Sequence, residues 1–194
     1  MKKKRIGIDM DQVIADIMSE WLRRYNNDYN DNLSPKDITE WNFHNIVKPE
    51  CGKKIYTYLD DPDLFRNLPV IDESQDAVYE LSKNYEIFII TAPFNPNNIL
   101  PKYDWLKKNF NFISEKNYVF TRNKSIANTN WLIDDNPDNF IGYSGEPLLY
   151  NAPHNKSYQG DILRFDNWQE IVFYFDWIQN VQEELLSERQ KQVG

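Results

Sequence analysis

Five short apolar runs, each set off by polar residues and joined to the next by loop or helix-forming stretches, constrain this chain more than any other feature. They are Arg5-Ile6-Gly7-Ile8-Asp9, Tyr85 to Thr91, Tyr118 to Phe120, Trp131 to Ile133 and Pro147 to Tyr150. Continuous β-branched or aromatic runs without alternation read as strands buried on both faces. Between them, Ile14, Ile17, Met18, Trp21, Leu22 and Tyr25 recur at helical spacing, which predicts a helix from Val13 to about Asn27. Ala77, Val78 and Leu81 mark a second helix, Pro101 to Asn109 a third, and Trp168 to Glu188 a long last one. Strands alternating with helices imply a parallel sheet with right-handed crossovers, hence an α/β, Rossmann-like fold.

Only the first crossover is oversized. Residues 17–68 carry no strand pattern, and Ser34-Pro35, Lys53 to Leu59 and Asp61-Pro62 read as short helical pieces. The expectation is a small helical cap over 17–68 inserted into an α/β core made of 1–16 and 69–194. At 194 residues with 41% hydrophobic content, the chain suffices for one packed core with a small module.

Composition narrows the partners. A formal net charge of −8 argues against a binder of polymeric nucleic acid, which needs a basic face. The single Cys51 excludes an internal disulfide, and with only His44 and His154 beside it a Cys/His zinc site is out of reach. The opening MKKKRIGIDMD has no signal-peptide core, and no later run is long enough for a membrane span. A reduced, cytoplasmic location without membrane partners is the expectation. The oligomeric state is not readable, and a homodimer is compatible with the sequence.

In open α/β sheets, ligands bind beyond the carboxyl ends of the strands. Those ends carry Asp9-Met10-Asp11, Thr91-Ala92-Pro93, Thr121-Arg122-Asn123-Lys124 and Asp134-Asp135. Taken singly, each has an ordinary reading as a helix cap, a turn or a solvated lysine. Together they bring four carboxylates, one hydroxyl and one lysine to one sheet edge. Carboxylates gathered that closely repel by several kcal/mol, so a cation should join them, and an all-oxygen set favours Mg²⁺.

This ordered set resembles the haloacid dehalogenase superfamily of phosphatases. The resemblance implies that Asp9 is the nucleophile and Asp11 the general acid/base. It implies that Thr91 and the Ala92 amide bind phosphate with Lys124, and that Asp134 ligates Mg²⁺ with Asp135 as its outer neighbour. Asp9 and the Asp11 carbonyl would complete the metal ligands. Within the superfamily, Asp9 to Asp16, Phe65-Arg66-Asn67-Leu68-Pro69, Thr91-Ala92-Pro93, Lys102-Tyr103-Asp104-Trp105, Thr121 to Lys124 and Leu132 to Asp138 are similar to segments of the 5'(3')-deoxyribonucleotidases. Two positions depart from that family: Gln12 stands where glycine is frequent, and Ile17 where mammalian members carry a base-sandwiching aromatic. A pyrimidine preference is therefore not implied.

The expected function is Mg²⁺-dependent hydrolysis of a nucleoside monophosphate, a deoxyribonucleotide first, through an aspartyl-phosphate. Same-fold alternatives are a phosphatase for a sugar phosphate or phosphoglycolate, a phosphomutase or phosphotransferase, and a nonenzymatic phospho-ligand binding protein. The last is disfavoured because a receptor needs no protonatable second carboxylate. The cap is rich in aromatics, and Trp41 and Phe43, in a polar loop-like stretch, are the candidates for contacting a base; Arg122, two residues before Lys124, is a candidate either to reach the substrate or to form a surface salt bridge. Aromatics in a small cap also serve simply to pack it. His44 and His154 are assigned no role.

Overall fold

The structure is a computed structural model and describes residues 3–193. Six strands form one parallel sheet: β1 (Arg5–Ile8), β2 (Glu86–Thr91), β3 (Tyr118–Phe120), β4 (Trp131–Asp134), β5 (Glu146–Tyr150) and β6 (Leu163–Phe165). Their order is β3-β2-β1-β4-β5-β6, with β1 in the centre, Ile6 paired to Ile87 on one side and to Trp131 on the other. Gly7 permits this close packing, because a Cβ there would lie 2.6 Å from the Ile90 side chain and 3.2 Å from that of Leu132. The order in which strands are added switches from one side of β1 to the other between β1 and β4, and the crevice at that switch point is where such sheets bind ligands.

The helices are α1 (Ile17–Tyr29), α2 (Pro62–Arg66), α3 (Ser74–Asn84), α4 (Ile99–Asn109) and α5 (Trp168–Val193). α1 starts four residues later than its apolar spacing predicts. Asp16 caps it by accepting from the Ser19 amide at 3.0 Å. Val13 and Ile14, though on helical spacing, are buried in the preceding loop, where the Ile14 and Ala15 amides both donate to the Met10 carbonyl. Gln12 in that loop has φ of +59°, the left-handed region where glycine is at ease. Its amide compensates: with Oε1 turned toward α1, it accepts from the Met18 and Ile17 amides at 2.7 and 3.2 Å. β6 was not foreseen; it is a three-residue edge strand within a polar stretch.

Between α1 and α2 the chain makes only turns and short 3-10 segments, including Pro35–Asp37 and Gly52–Asp60. The excursion from β1 to α3 leaves and returns through a bonded neck. The Asp16 amide donates to the Pro69 carbonyl and the Ile71 amide to the Ile14 carbonyl, each at 2.9 Å. Buried tryptophans fasten the parts, each indole N–H meeting an acceptor. Trp21 donates to the Ile55 carbonyl at 2.7 Å, and Trp105 and Trp168 donate to the carbonyls of Leu68 and Val13 at 2.8 Å. No helix among the described residues is long and apolar enough to cross a membrane.

Candidate active site

The ends of β1, β2 and β4 and the turn after β3 converge on one cavity of about 250 Å³. Asp9 follows the last residue of β1, its amide fixed by the Ile133 carbonyl at 2.9 Å. Lys124, from the turn Lys124–Ile126, reaches Asp9 Oδ1 and Asp134 Oδ2, both at 2.6 Å. All three side chains are almost wholly buried. Asp134 Oδ1 is held in addition by the Asn136 amide at 2.9 Å and Asn139 Nδ2 at 2.8 Å.

Burial raises the Asp9 carboxyl well above the usual carboxylate range. Lys124 opposes that shift, while the negative charges of Asp134, Asp11 and Asp135 add to it. Asp134 is raised too, by burial first and against the pull of Lys124. Burial alone would lower Lys124, but Asp134 and Asp9 outweigh it, so its ammonium is held charged more firmly than an ordinary lysine's.

Asp9, Asp134 and Asp135 each bring a carboxylate oxygen within 4.8 Å of the others. Three buried carboxylates against the Lys124 ammonium leave excess negative charge, and the donors are all oxygen. This set fits a hard divalent cation such as Mg²⁺ and does not suit zinc. Asp135, expected from the resemblance as an outer neighbour, thus has an oxygen in the cluster itself. The Asp11 side chain faces elsewhere, forming an ion pair with Lys102. Its Oδ1 is buried and accepts no hydrogen bond.

Lys102 is the residue that sequence reasoning missed. It comes from α4, is fully buried, and donates to Thr91 Oγ1 at 2.9 Å as well as to Asp11. The signal was present: Lys102 shares a helix face with Trp105 and Leu106, both buried, where an apolar residue belongs. His154 was also passed over as a loop residue. It is 2% exposed and lies 2.8 Å from Asp135 through Nε2.

The other expected residues lie at the same cavity or directly behind its wall. Thr91 is fully buried at the end of β2 and Ala92 follows it at the cavity wall; Arg122 is exposed at the rim. Trp41 also borders the cavity and is 44% exposed. Phe43 borders it but is 4% exposed, with its ring 4.8 Å from that of Trp21, so it packs the helical segment. Phe94, which sequence reasoning did not single out, is a further open ring on the wall. A larger hollow of about 650 Å³ lies beside α5 and β6, lined by Leu163, Phe173 and Trp177, with no comparable gathering of titratable groups.

Paired aspartates thus lie at the end of a central parallel strand, with a buried lysine and further carboxylates around them. Solved structures agree on the fold. A haloacid dehalogenase-like hydrolase from Streptococcus pneumoniae superposes with a TM-score of 0.61 at 14% identity, over 89% of this chain and 98% of that one. A superfamily hydrolase from Bacillus subtilis, bound to magnesium, superposes at 0.57 with 11% identity, over 90% and 99%.

Sequence comparisons go further. Residues 3–178 match the model of the family described as 5' nucleotidase, deoxy (pyrimidine), cytosolic type C. The 5'(3')-deoxyribonucleotidase of Clostridium acetobutylicum is 41% identical over 170 residues, covering 88% of this chain and 93% of that protein. That of Bacillus subtilis is 40% identical over 171 residues, covering 87% and 96%. The chain belongs to the 5'(3')-deoxyribonucleotidase family.

Proposed function

We propose that this protein hydrolyses deoxyribonucleoside monophosphates in a Mg²⁺-dependent reaction through a phosphoryl group carried on Asp9. The observation that carries the reading is the pair of carboxylates on one cavity, each with its own lysine: Asp9 with Lys124, Asp11 with Lys102. On the family's pattern the first carboxylate attacks phosphorus and the second moves a proton.

In the first half-reaction an Asp9 oxygen bonds to phosphorus as the bond from phosphorus to the sugar oxygen breaks. Asp11, protonated, gives its proton to that departing oxygen. In the second half, a water loses a proton to Asp11 and attacks phosphorus, freeing phosphate and restoring the Asp9 carboxylate. Lys124, Thr91 and the Ala92 amide surround the phosphoryl oxygens as fixed donors. Asp9, Asp134 and Asp135 would hold Mg²⁺, with the Asp11 carbonyl added by the family resemblance. The ion supplies charge neutralisation at the phosphoryl oxygens. Lys102 ties Asp11 to Thr91, which keeps the proton-transfer group and the phosphate-binding group in one register.

Residues 17–68 act as a cap that contacts the leaving group, with Trp41 as the ring open to the cavity. The decisive experiment is a hydrolysis screen of ribo- and deoxyribonucleoside monophosphates beside sugar phosphates and phosphoglycolate, with Mg²⁺. Deoxyribonucleotides should lead; a sugar phosphate hydrolysed faster than any nucleotide would overturn the substrate reading.

Two variants test the parts. Asp11→Asn should slow nucleotide hydrolysis about 10²- to 10⁴-fold, the usual worth of a general acid. It should slow p-nitrophenyl phosphate far less, because that leaving group needs little protonation. Equal losses on both substrates would point to a disturbed site instead. Trp41→Ala should lower kcat/KM for nucleotides about tenfold, the scale of one lost base–aromatic stack, and lower it more than for p-nitrophenyl phosphate. Parallel losses with a lower melting temperature would mean that the ring only packs the fold.

A further inference from the structure

The turn Pro153–Asn155 follows β5 and carries two side chains that converge on one target. Asn155 is 2% exposed, and its Nδ2 donates to the Asp135 main-chain carbonyl at 2.7 Å and to that of Tyr150 at 2.9 Å. Its Oδ1 accepts from the Ala152 amide at 3.1 Å and from Arg164 at 3.0 Å, which fixes the amide's orientation. His154 meets the other end of Asp135, Nε2 lying 2.8 Å from Oδ2. With the ring hydrogen on Nε2 this contact attracts; with Nε2 bare, its lone pair repels the carboxylate oxygen. The approach is off the line of a hydrogen bond, and neither ring nitrogen has a hydrogen-bond partner.

Such a buried, polar and unsatisfied ring costs stability wherever packing alone is needed, where a leucine or phenylalanine would serve. Its face is also occupied. The Trp41 ring lies 4.1 Å from it, centroid to centroid, tilted by 55°. Trp41 comes from the helical segment after β1, and the neighbouring turn Pro35–Asp37 rests against Pro153–Asn155 as well. One imidazole thus touches a carboxylate of the acidic cluster with its edge and the segment over the cavity with its face.

We infer that His154 is a positioning residue with two separable duties: its Nε2 edge, 2.8 Å from Oδ2, draws the Asp135 carboxylate into place for the metal by charge–dipole attraction without a formed hydrogen bond, and its ring seats Trp41 over the leaving-group side of the cavity. The inference rests on the metal reading given above. Groups that orient a metal-binding carboxylate are worth about 10- to 100-fold in metal affinity. A seat for a stacking ring acts on substrate affinity instead.

Two substitutions divide the duties. His154→Phe keeps a flat ring for Trp41 and removes the donor; His154→Gln keeps a donor and removes the ring. Mg²⁺ binding to the full chain is measured by calorimetry without substrate, and nucleotide KM and kcat at saturating Mg²⁺. Melting in EDTA shows that each variant is folded. His154→Phe should weaken Mg²⁺ binding about tenfold or more with nucleotide KM changed less than about threefold. His154→Gln should bind Mg²⁺ within about threefold of the parent and raise nucleotide KM to the level of Trp41→Ala. The proposal is overturned if His154→Phe binds Mg²⁺ as the parent does, or if His154→Gln weakens metal and substrate together. It is also overturned if Trp41→Ala weakens Mg²⁺ binding as much as His154→Phe. Should the parent itself bind no Mg²⁺, the metal reading falls and takes this proposal with it, a result distinguishable because it needs no variant.

Discussion

Asp9→Asn should release phosphate from nucleotides about 10⁴-fold more slowly than the parent or worse, the scale on which removal of a covalent nucleophile acts. The carboxamide occupies the same space between Lys124 and the cavity but offers no anionic oxygen to phosphorus. Its stability should move the other way. Burial, only partly offset by Lys124, raises the folded-state Asp9 carboxyl well above its unfolded value. A group raised in this way favours folding below its unfolded pKa, and that contribution is lost as pH rises through the folded value. Above the unfolded value the cost of ionising Asp9 therefore works against the fold, and an uncharged isostere relieves it. Asp9→Asn should melt at or above the parent temperature in EDTA, and should gain less than the parent on acidification. Steady-state phosphate release within about a hundredfold of the parent would exclude the covalent route. A lowered melting temperature would mean that the Asp9–Lys124 pair stabilises the fold on balance.

Chelation should abolish turnover, and Mg²⁺ should restore it. Asp9, Asp134 and Asp135 are drawn within 4.8 Å of each other at burial that leaves little water to screen them. A divalent cation removes that repulsion in the folded state and has no such site in the unfolded chain. Binding therefore adds stability: about 2.7 kcal/mol at a hundred times the dissociation constant. For a chain of this length that is a rise of roughly 5–10 °C in melting temperature. Activity that survives EDTA, or that only Zn²⁺ restores, would show that the cluster is not an oxygen site for Mg²⁺. A melting temperature indifferent to Mg²⁺ would say the same without reference to catalysis.

The strand ends were legible because of where strands sit. Strands covered on both faces must be apolar throughout, so the first polar residue after each run marks the sheet edge. Asp9, Thr91 and Asp134 could be read off on that ground. What could not be read were pairings across the fold. Lys102 is a lysine on a helix until Asp11, far away in the chain, is seen to meet it. His154 looks like a loop residue until Asp135 and Trp41 are found against it. Local competition hid other features. Val13 and Ile14 fit the period of α1 but are held back in the loop, and the Asp16 cap, not the apolar spacing, decides where the helix begins. β6 escaped because Arg164 interrupts the apolar run at Leu163-Arg164-Phe165, and only its ladder to β5 defines it. Among the aromatics of residues 17–68, Trp21, Tyr25, Phe43 and Phe65 are packing residues by burial, and composition could not separate them from Trp41.

The central place of β1 has a consequence for how the molecule comes into being. β1, which leads into Asp9, is the first of the six strands in chain order, yet its two ladder partners, at Ile87 and Trp131, come much later in the chain. Until both arrive, Ile6 and Ile8 have no sheet to be buried in. Joining them closes long loops whose entropic cost must be met before any ladder bond returns it. The segment from Ile17 to Arg66 has bonds of its own, such as that from Trp21 to the Ile55 carbonyl, that need no strand. Asp9, Lys124 and Asp134 reach one another only once β1 lies beside β4 with the turn after β3 in place. For this chain the seating of its central strand and the onset of chemistry are the same event.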